Sequence, residues 1–471
     1  MIKRKGYSIK STCTKILYIH LIILFSAVSI AANKGVVIDV TKYGAKGDGI
    51  TLDTKAIQKA IDVAATIGNG TKVLVPTNHK YCIGSIFLKG NIEFHLQGNA
   101  QLLVSTNKED FSGQAAIIAN EADNLKITGT GSVNGRALEF MTHYDTAKEI
   151  WIPKDWRPKL FILTKCKNLV ISTITIEKSA FWSLHLLGCE NVVIDGVKIR
   201  NDLDVPNCDG IDPDHCRNVE IRNCEISCGD DAIVVKATKQ EIDYGSSSNI
   251  WVHDCWIETQ DSGLKIGTET TQDIYNIVFE KCTIKTSCRG LTIQLRDEGD
   301  VHNIIFKDIS FMSKFHSDPW WGRGEAISLT AIQRTPETKI GKIYNVLIKN
   351  VKGIAENSIR INGTKESRIS NIHLQNVDVT LDRWTKYAGN LFDNRPTKAY
   401  SPIEIHDTPG VSIRYADRVI LENCSISWGK NSPYYFSNAI QATDASGVEI
   451  INFTGQSANP QKFIAIDIPK L

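Results

Sequence analysis

The chain has 471 residues, 42% of them hydrophobic, and a formal net charge of +2. That is enough apolar material for a large core, and the near-neutral balance gives no electrostatic case for nucleic acid as a partner. It does not exclude an acidic ligand, because a local basic groove can hide within it.

Lys3, Arg4, Lys5, Lys10 and Lys15 precede an apolar run over residues 16–30, and Ser29, Ala31 and Ala32 offer small residues for cleavage. This order predicts a signal peptide over residues 1–31. A retained anchor is the alternative, but the run is shorter than the ~20 residues a spanning helix needs. Cys13 lies before the run, so it is not a lipoprotein cysteine at the cleavage point. The mature protein is therefore expected to be periplasmic or secreted, with no membrane contact after cleavage, and to be a monomer. Residues 33–471 are expected to form one domain, since no linker or low-complexity stretch divides them.

The turn-rich segment from Tyr43 to Gly49 contains Gly44, Gly47 and Gly49, but not the GxxxxGK[ST] spacing of a phosphate loop. Residues 53–65 then read as one amphipathic helix with Asp53 as its N-cap. Its expected place is over an open end of the fold, where strand edges would otherwise be bare.

The rest of the chain repeats. An Asn followed by alternating apolar residues recurs at Asn168, Asn191, Asn218, Asn249, Asn276, Asn303, Asn345 and Asn371, with degenerate copies at Arg418 and Gly447. The first five intervals are 23, 27, 31, 27 and 27 residues, and the interval from Asn303 to Asn345 is 42, which implies an inserted loop. Each copy holds short period-two strands that cannot bury a face alone but can do so by stacking. The expected fold is all-β: a single-stranded parallel β-helix, right-handed by the general preference of parallel crossovers, with an N-terminal capping helix. Cys224, Cys255 and Cys282 sit six residues after the repeat Asn, and Cys166, Cys189 and Cys216 sit two before it. Recurrence at fixed phases predicts interior cysteine ladders rather than a disulfide framework, although a disulfide among them or at Cys288 is the alternative. The asparagines are expected to form their own ladder, with amides bonded along the stack.

Within this frame Asn207-Cys208-Asp209-Gly210-Ile211-Asp212 is followed by Gly229-Asp230-Asp231. Asp209 and Asp231 are 22 residues apart, close to one coil, so their side chains should converge across a rung spacing of about 4.8 Å. Asp230 and Asp231 are adjacent, so both reach one surface only if the chain leaves the regular pleat there. Crowded carboxyls keep one protonated as a general acid and leave others to orient a water, as glycoside hydrolysis requires. The competing readings are turn-filling aspartates and a calcium site, to which Asp212 and Asp214 would add oxygen ligands.

The motifs Asn207-x-Asp209-Gly210-Ile211-Asp212-Pro213, Gly229-Asp230-Asp231-Ala232-Ile233-x-x-Lys236 and Gly263-x-x-Ile266-Gly267-Thr268-Glu269 together resemble glycoside hydrolase family 28. This is the polygalacturonase and rhamnogalacturonase family, with a pectin lyase-like β-helix. The resemblance runs from the Tyr43 segment to the coils near Phe306. It implies inverting hydrolysis of a polysaccharide or oligosaccharide, with Asp230 as general acid, Asp209 and Asp231 activating water, and no metal or other cofactor. Two departures stand out. Ser262 occupies the place of the family's Gly-His-Gly histidine, and Thr292 and Gln294 occupy its Arg-x-Lys pair. Substrate contacts are therefore expected from Lys236, Lys265, Glu269, Arg289 and Arg296, with Arg suited to a uronate carboxylate. Trp320 and Trp321, in the Gly-rich insertion after Asn303, are expected to stack on a sugar and to close one end of the groove, making the enzyme exo-acting. The substrate stays open between galacturonan, rhamnogalacturonan and related uronic-acid glycans. A calcium-dependent lyase and a non-catalytic glycan-binding β-helix are the other readings.

Overall fold

The computed structural model describes residues 35–468, so the expected signal peptide lies outside the described residues. From Val36 onward the chain gathers into one unit. Among the described residues, no helix is long and apolar enough to cross a membrane.

The repeat folds as a right-handed parallel β-helix. One face is a thirteen-stranded parallel sheet. Eight successive rungs of it matter here: β1 (Lys159–Thr164), β2 (Leu184–Leu187), β3 (Ile211–Asp214), β4 (Ile233–Ala237), β5 (Ser262–Thr270), β6 (Arg289–Leu295), β7 (Glu325–Ala331) and β8 (Asn357–Asn362). Register makes the core explicit. Phe161, Leu184, Ile211, Ile233, Leu264, Leu291, Ile327 and Ile359 pair in sequence and are all buried. The next position along each strand faces the other way, giving the column Val234, Lys265, Thr292, Ser328 and Arg360. One column builds the interior and its neighbour builds a cleft.

The other faces merge into a large parallel sheet, because strands such as Val301–Ser313, Ile343–Ala355 and Ile369–Leu381 run round the corner between them. Left-handed residues, Asp308, Asn350 and Asn376, mark those corners. The repeat asparagines also sit in the left-handed region, with φ near +55 to +58° from Asn168 to Asn371. Each Nδ2 donates to the Oδ1 of the Asn one coil earlier, unbroken from Asn168 to Asn371. The ladder begins earlier than the repeat suggested, at Asn91 and Asn124. The eleven cysteines among the described residues are buried and free, so no disulfide forms among them.

The helix α1 (Thr54–Ile67) buries Ile57, Ala60, Ile61 and Ala64 against the first coils. Asp53 precedes it but makes no side-chain capping bond. Its carboxylate instead accepts the N–H groups of Lys46 and Gly47, at 2.7 and 3.0 Å. The expected N-cap is thus a staple for the glycine-rich segment, because two loop amides outcompete the helix terminus for one buried carboxylate.

Candidate active site

The carboxylates come from the turns that lead into successive cleft strands. Asp209 precedes β3, Asp230 and Asp231 precede β4, and Asp261 precedes β5. Residues 229–231 lie outside the pleat, which lets both adjacent aspartates face the cleft. The glycines of the motif allow close approach of neighbouring turns. A Cβ at Gly210 would lie 2.3 Å from Ala232 O, and one at Gly229 would lie 2.2 Å from Val205 O.

Asp209, Asp230 and Asp231 each bring one carboxylate oxygen within 4.8 Å of the others. Asp209 Oδ2 accepts from Lys236 Nζ at 3.3 Å, and Asp231 Oδ2 from Lys265 Nζ at 2.6 Å. Asp230 is held by backbone: Asn207 N–H donates to its Oδ2 at 3.0 Å and Asp231 N–H to its Oδ1 at 2.9 Å. The remaining oxygens of Asp209 and Asp231 and both of Asp212 are buried without a hydrogen-bond partner. In a folded interior such atoms are rare, and here they leave acceptor capacity unused at the centre of the cluster.

The charge balance explains the protonation. Asp209, Asp212, Asp230, Asp231, Asp261 and Glu269 crowd two ammonium groups, Lys236 and Lys265. Burial, then the Asp209 and Asp231 charges, push the Asp230 carboxyl up to about 7. Burial pushes Asp212 up to about 7 despite Lys236. Burial and Asp231 push Asp261 up to about 8. Asp209 is driven well above the usual carboxylate range by burial and Asp212. Burial opposes ionisation of Glu269 too, but Lys236 and Lys265 hold its carboxyl below the ordinary value. Both lysines resist the loss of charge that burial favours: carboxylates raise Lys236 well above its usual range and Lys265 above it.

The other predicted contacts are placed as follows. Lys236 Nζ also lies 3.5 Å from Asp212 and 3.6 Å from Glu269, so Lys236 and Glu269 stand together beside the aspartates. Arg289 is fully buried within 3.6–3.7 Å of Asp261, Glu325 and Asp393, and none of its guanidinium nitrogens has a hydrogen-bond partner. Arg296 is also fully buried. Its Nη1 is committed to the Leu295 carbonyl and to Thr330, and burial followed by Arg289 lowers it to about 9. Trp320 is 2% exposed, while Trp321 is partly exposed beside Arg395. Of the two, only Trp321 offers ring surface; Trp320 is buried, and Arg395 Nη2 donates to its carbonyl at 2.8 Å.

Sequence reasoning missed three features. Asp261 carried a signal, since it follows Asp231 by about one coil, and Ser262 donates to its Oδ1 at 2.9 Å. Asp393 carried none. It arrives from a loop outside the repeat to face Arg289 and Arg395, and those two guanidinium groups offset its burial and hold it at about 2. Lys159 and Trp182 lie two coils and one coil before the motif, where no motif residue marks them.

The parallel β-helix carries its carboxylate cluster on one sheet face, and solved structures share the fold. The chain is similar to the family 28 exopolygalacturonase of Yersinia enterocolitica (TM-score 0.66, 18% identity, 89% of this chain and 79% of that one). It is also similar to the exopolygalacturonase of Thermotoga maritima (TM-score 0.66, 20% identity, 83% and 91%). The pattern of glycosyl hydrolases family 28 matches residues 66–391, and the chain belongs to that family. Among relatives, a "Probable polygalacturonase" of Vitis vinifera is 30% identical over 244 residues, 47% of this chain and 48% of that protein. The "Exo-poly-alpha-D-galacturonosidase" of Dickeya chrysanthemi is 26% identical over 306 residues, 52% and 49%. The chain thus spans about half the length of the curated relatives it matches.

Proposed function

We propose that the chain is a glycoside hydrolase that cleaves uronic-acid-containing pectic glycans, acting from a chain end. The observation that carries this is Asp230, half-buried at the cleft, pushed up to about 7, with an oxygen within 4.8 Å of both Asp209 and Asp231. At neutral pH part of the population holds the proton that a leaving glycosidic oxygen needs. Asp230 gives that proton as the bond from C1 to the leaving oxygen breaks. A water held between Asp209 and Asp231 adds its oxygen to C1 and gives its proton to Asp231, which Lys265 holds in place. The names of the relatives, polygalacturonases and an exo-poly-galacturonosidase, support the pectic substrate.

Burial supports the exo reading. Along the cleft beyond the aspartates, Arg289, Arg296, Glu325 and Asp393 are all covered, at 1% exposure or less. On the other side Arg157, Lys159, Phe181 and Trp182 are partly exposed. A groove open on one side of the catalytic carboxylates and roofed on the other accepts a chain end.

The eliminase reading is disfavoured by Lys236 and Lys265. A lyase needs a basic group free to take a proton, and both lysines are locked to carboxylates that hold them charged. The same two ammoniums each take one oxygen of Asp209 and Asp231 and offset negative charge that a calcium ion would need. The carboxyl spacing is a separate matter. Oxygens within 4.8 Å are nearer to the ~5–5.5 Å of retaining enzymes than to the ~6.5–9.5 Å of inverting ones. Inversion therefore rests on the family resemblance.

The test is product analysis on polygalacturonan, its oligosaccharides and rhamnogalacturonan fragments, with wild type beside Asp230→Asn. Saturated single-sugar or single-size products, lost in the variant and unaffected by chelator, support the reading. NMR of the first-formed anomer reports inversion or retention. Unsaturated products, or loss of activity on chelation, would overturn hydrolysis.

A further inference from the structure

The family's basic pair is replaced by Thr292 and Gln294, and the cations expected to take over are engaged: Lys236 and Lys265 with the catalytic carboxylates, Arg289 and Arg296 beneath a roof of loops. Recognition of an acidic sugar needs a cation elsewhere on the cleft. The open side supplies one. Leu160 N–H donates to Trp182 O and Ser183 N–H to Asp209 O, so Lys159, Trp182 and Asp209 follow one another on successive rungs. At ~4.8 Å per rung the Lys159 backbone is two rungs, about 10 Å, from Asp209, but its Nζ lies at the same Trp182 ring that Lys236 Nζ approaches at 4.1 Å, so the ammonium reaches back towards the catalytic carboxylates.

Its surroundings are those of a sugar subsite. Lys159 Nζ sits 3.7 Å from the centre of the Trp182 ring and 5.8 Å from that of Phe181, and lies 3.1 Å from His185 Nδ1. No carboxylate among the described residues forms an ion pair with it, and it is partly exposed. Phe181 also lines a cavity of about 440 Å³ with Trp156, Arg157 and Lys154. Arg157 links this cavity to the reaction centre. Its Nη2 donates to Asn207 Oδ1 at 2.7 Å, and the Asn207 N–H donates to Asp230. Its Nη1 binds the carbonyls of Ala180 and Pro206, which fixes it over the Phe181 ring at 4.7 Å.

We propose that Lys159, with the Phe181–Trp182 pair and the Arg157 cavity beside it, is the subsite that binds the carboxylate of a uronic acid residue next to the bond being cleaved. This rests on the pectic-hydrolase reading above and names how that site selects charge. Aromatic rings take the apolar face of the sugar, and the ammonium, unpaired with any acid, takes the carboxylate. Burial lowers the Lys159 ammonium to about 8 although the Asp212 charge opposes the fall, a penalty that an incoming carboxylate in direct contact relieves.

The test measures binding, apart from turnover. In an Asp230→Asn background, titration calorimetry compares trigalacturonate with its methyl ester, with Lys159 intact, as Lys159→Gln and as Lys159→Arg. Lys159→Gln is expected to weaken the acid about tenfold or more and to leave the ester unchanged, while Lys159→Arg keeps the preference for the acid. Equal loss for both ligands, no change for either, or no binding of either by the parent would overturn the subsite. The two readings fail separately: wild-type hydrolysis of pectic substrates with selectivity unmoved by Lys159→Gln sinks the subsite alone. Absence of hydrolysis on every pectic substrate sinks the function.

Discussion

Lys265 places its Nζ 2.6 Å from Asp231 Oδ2, with both side chains about 4% exposed. The pair joins two rungs of the cleft sheet and sets the protonation of the cluster. Every other aspartate of the group is pushed towards its acid form by burial, whereas Asp231 has a full positive charge in hydrogen-bond contact. One site therefore sets carboxyls driven towards the acid form beside one paired with an ammonium, an asymmetry that suits acid and base working together.

Removing that charge should be costly twice over. Lys265→Met leaves Asp231 buried without its partner, and breaking a buried pair typically costs about 3–5 kcal/mol. The unpaired carboxyl would then lose the contact that holds it in place for its role as base. We expect a clear fall in thermal midpoint and at least a hundredfold loss of kcat/KM. Lys265→Arg should recover part of the stability. Near wild-type activity in Lys265→Met would refute the role given to Asp231.

Asp230→Asn separates chemistry from folding. The amide keeps the shape, but its NH2 meets the Asn207 and Asp231 amides where only acceptors are wanted, so one contact is lost. It also removes a like charge from a crowd of them. The two effects oppose, and stability should change by no more than about 1 kcal/mol. Activity should fall by a factor of about 10² to 10⁴, the usual contribution of a general acid. A variant that keeps most of its turnover would move the acid to another carboxyl, Asp209 first.

The raised carboxyls also set a pH dependence of stability. Asp212 and Asp230 titrate near 7 and Asp261 near 8 in the folded chain, against about 3.9 when unfolded. Between these limits the folded state binds more protons, so stability falls as pH rises from about 4 to 8. Asp393 and Asp417, held at about 2, act oppositely but only as pH falls through the range from about 4 to 2. The thermal midpoint should therefore be higher at pH 5 than at pH 8, and kcat/KM should decline above about 7 as Asp230 loses its proton. A midpoint that rises from pH 5 to 8 would contradict the burial argument.

The sequence was most legible where the repeat spoke. The period of the asparagines, the phase of the cysteines and the one-coil spacing of Asp209 and Asp231 follow from stacking, and stacking turns spacing into position. The contacts of Arg289 were not legible. Its carboxylate partners include Asp393, about a hundred residues away in a loop with no phase, and only three-dimensional packing brings them together. Trp320 misled for a related reason. A tryptophan in a Gly-rich loop suits a sugar, but Trp320 is buried, with Arg395 bonded to its carbonyl, and Trp321 is the partly exposed ring. Asp53 misled because a cap residue was read locally, while its carboxylate answers to the amides of Lys46 and Gly47.

The asparagine ladder makes a sharper test of the repeat than any core residue. Asn249 adopts φ +56°, donates to Asn218 Oδ1 at 3.1 Å and accepts from Asn276 Nδ2 at 3.1 Å. Two different properties of Asn are in use: tolerance of the left-handed region, and an amide that both gives and takes. Asn249→Gly keeps the first and loses the second. Asn249→Ala loses both. A left-handed non-glycine residue costs about 1–2 kcal/mol, and each exposed amide bond contributes about 0.5–1.5 kcal/mol at most. Asn249→Ala should therefore destabilise by about 2–3 kcal/mol and Asn249→Gly by about 1 kcal/mol less, measured by denaturant midpoint with activity at low denaturant unchanged. If the two variants were equally destabilised, backbone handedness would contribute nothing and the ladder would act through its amides alone. If Asn249→Gly matched wild type, the amide chain would be incidental and the asparagines would serve the corner only.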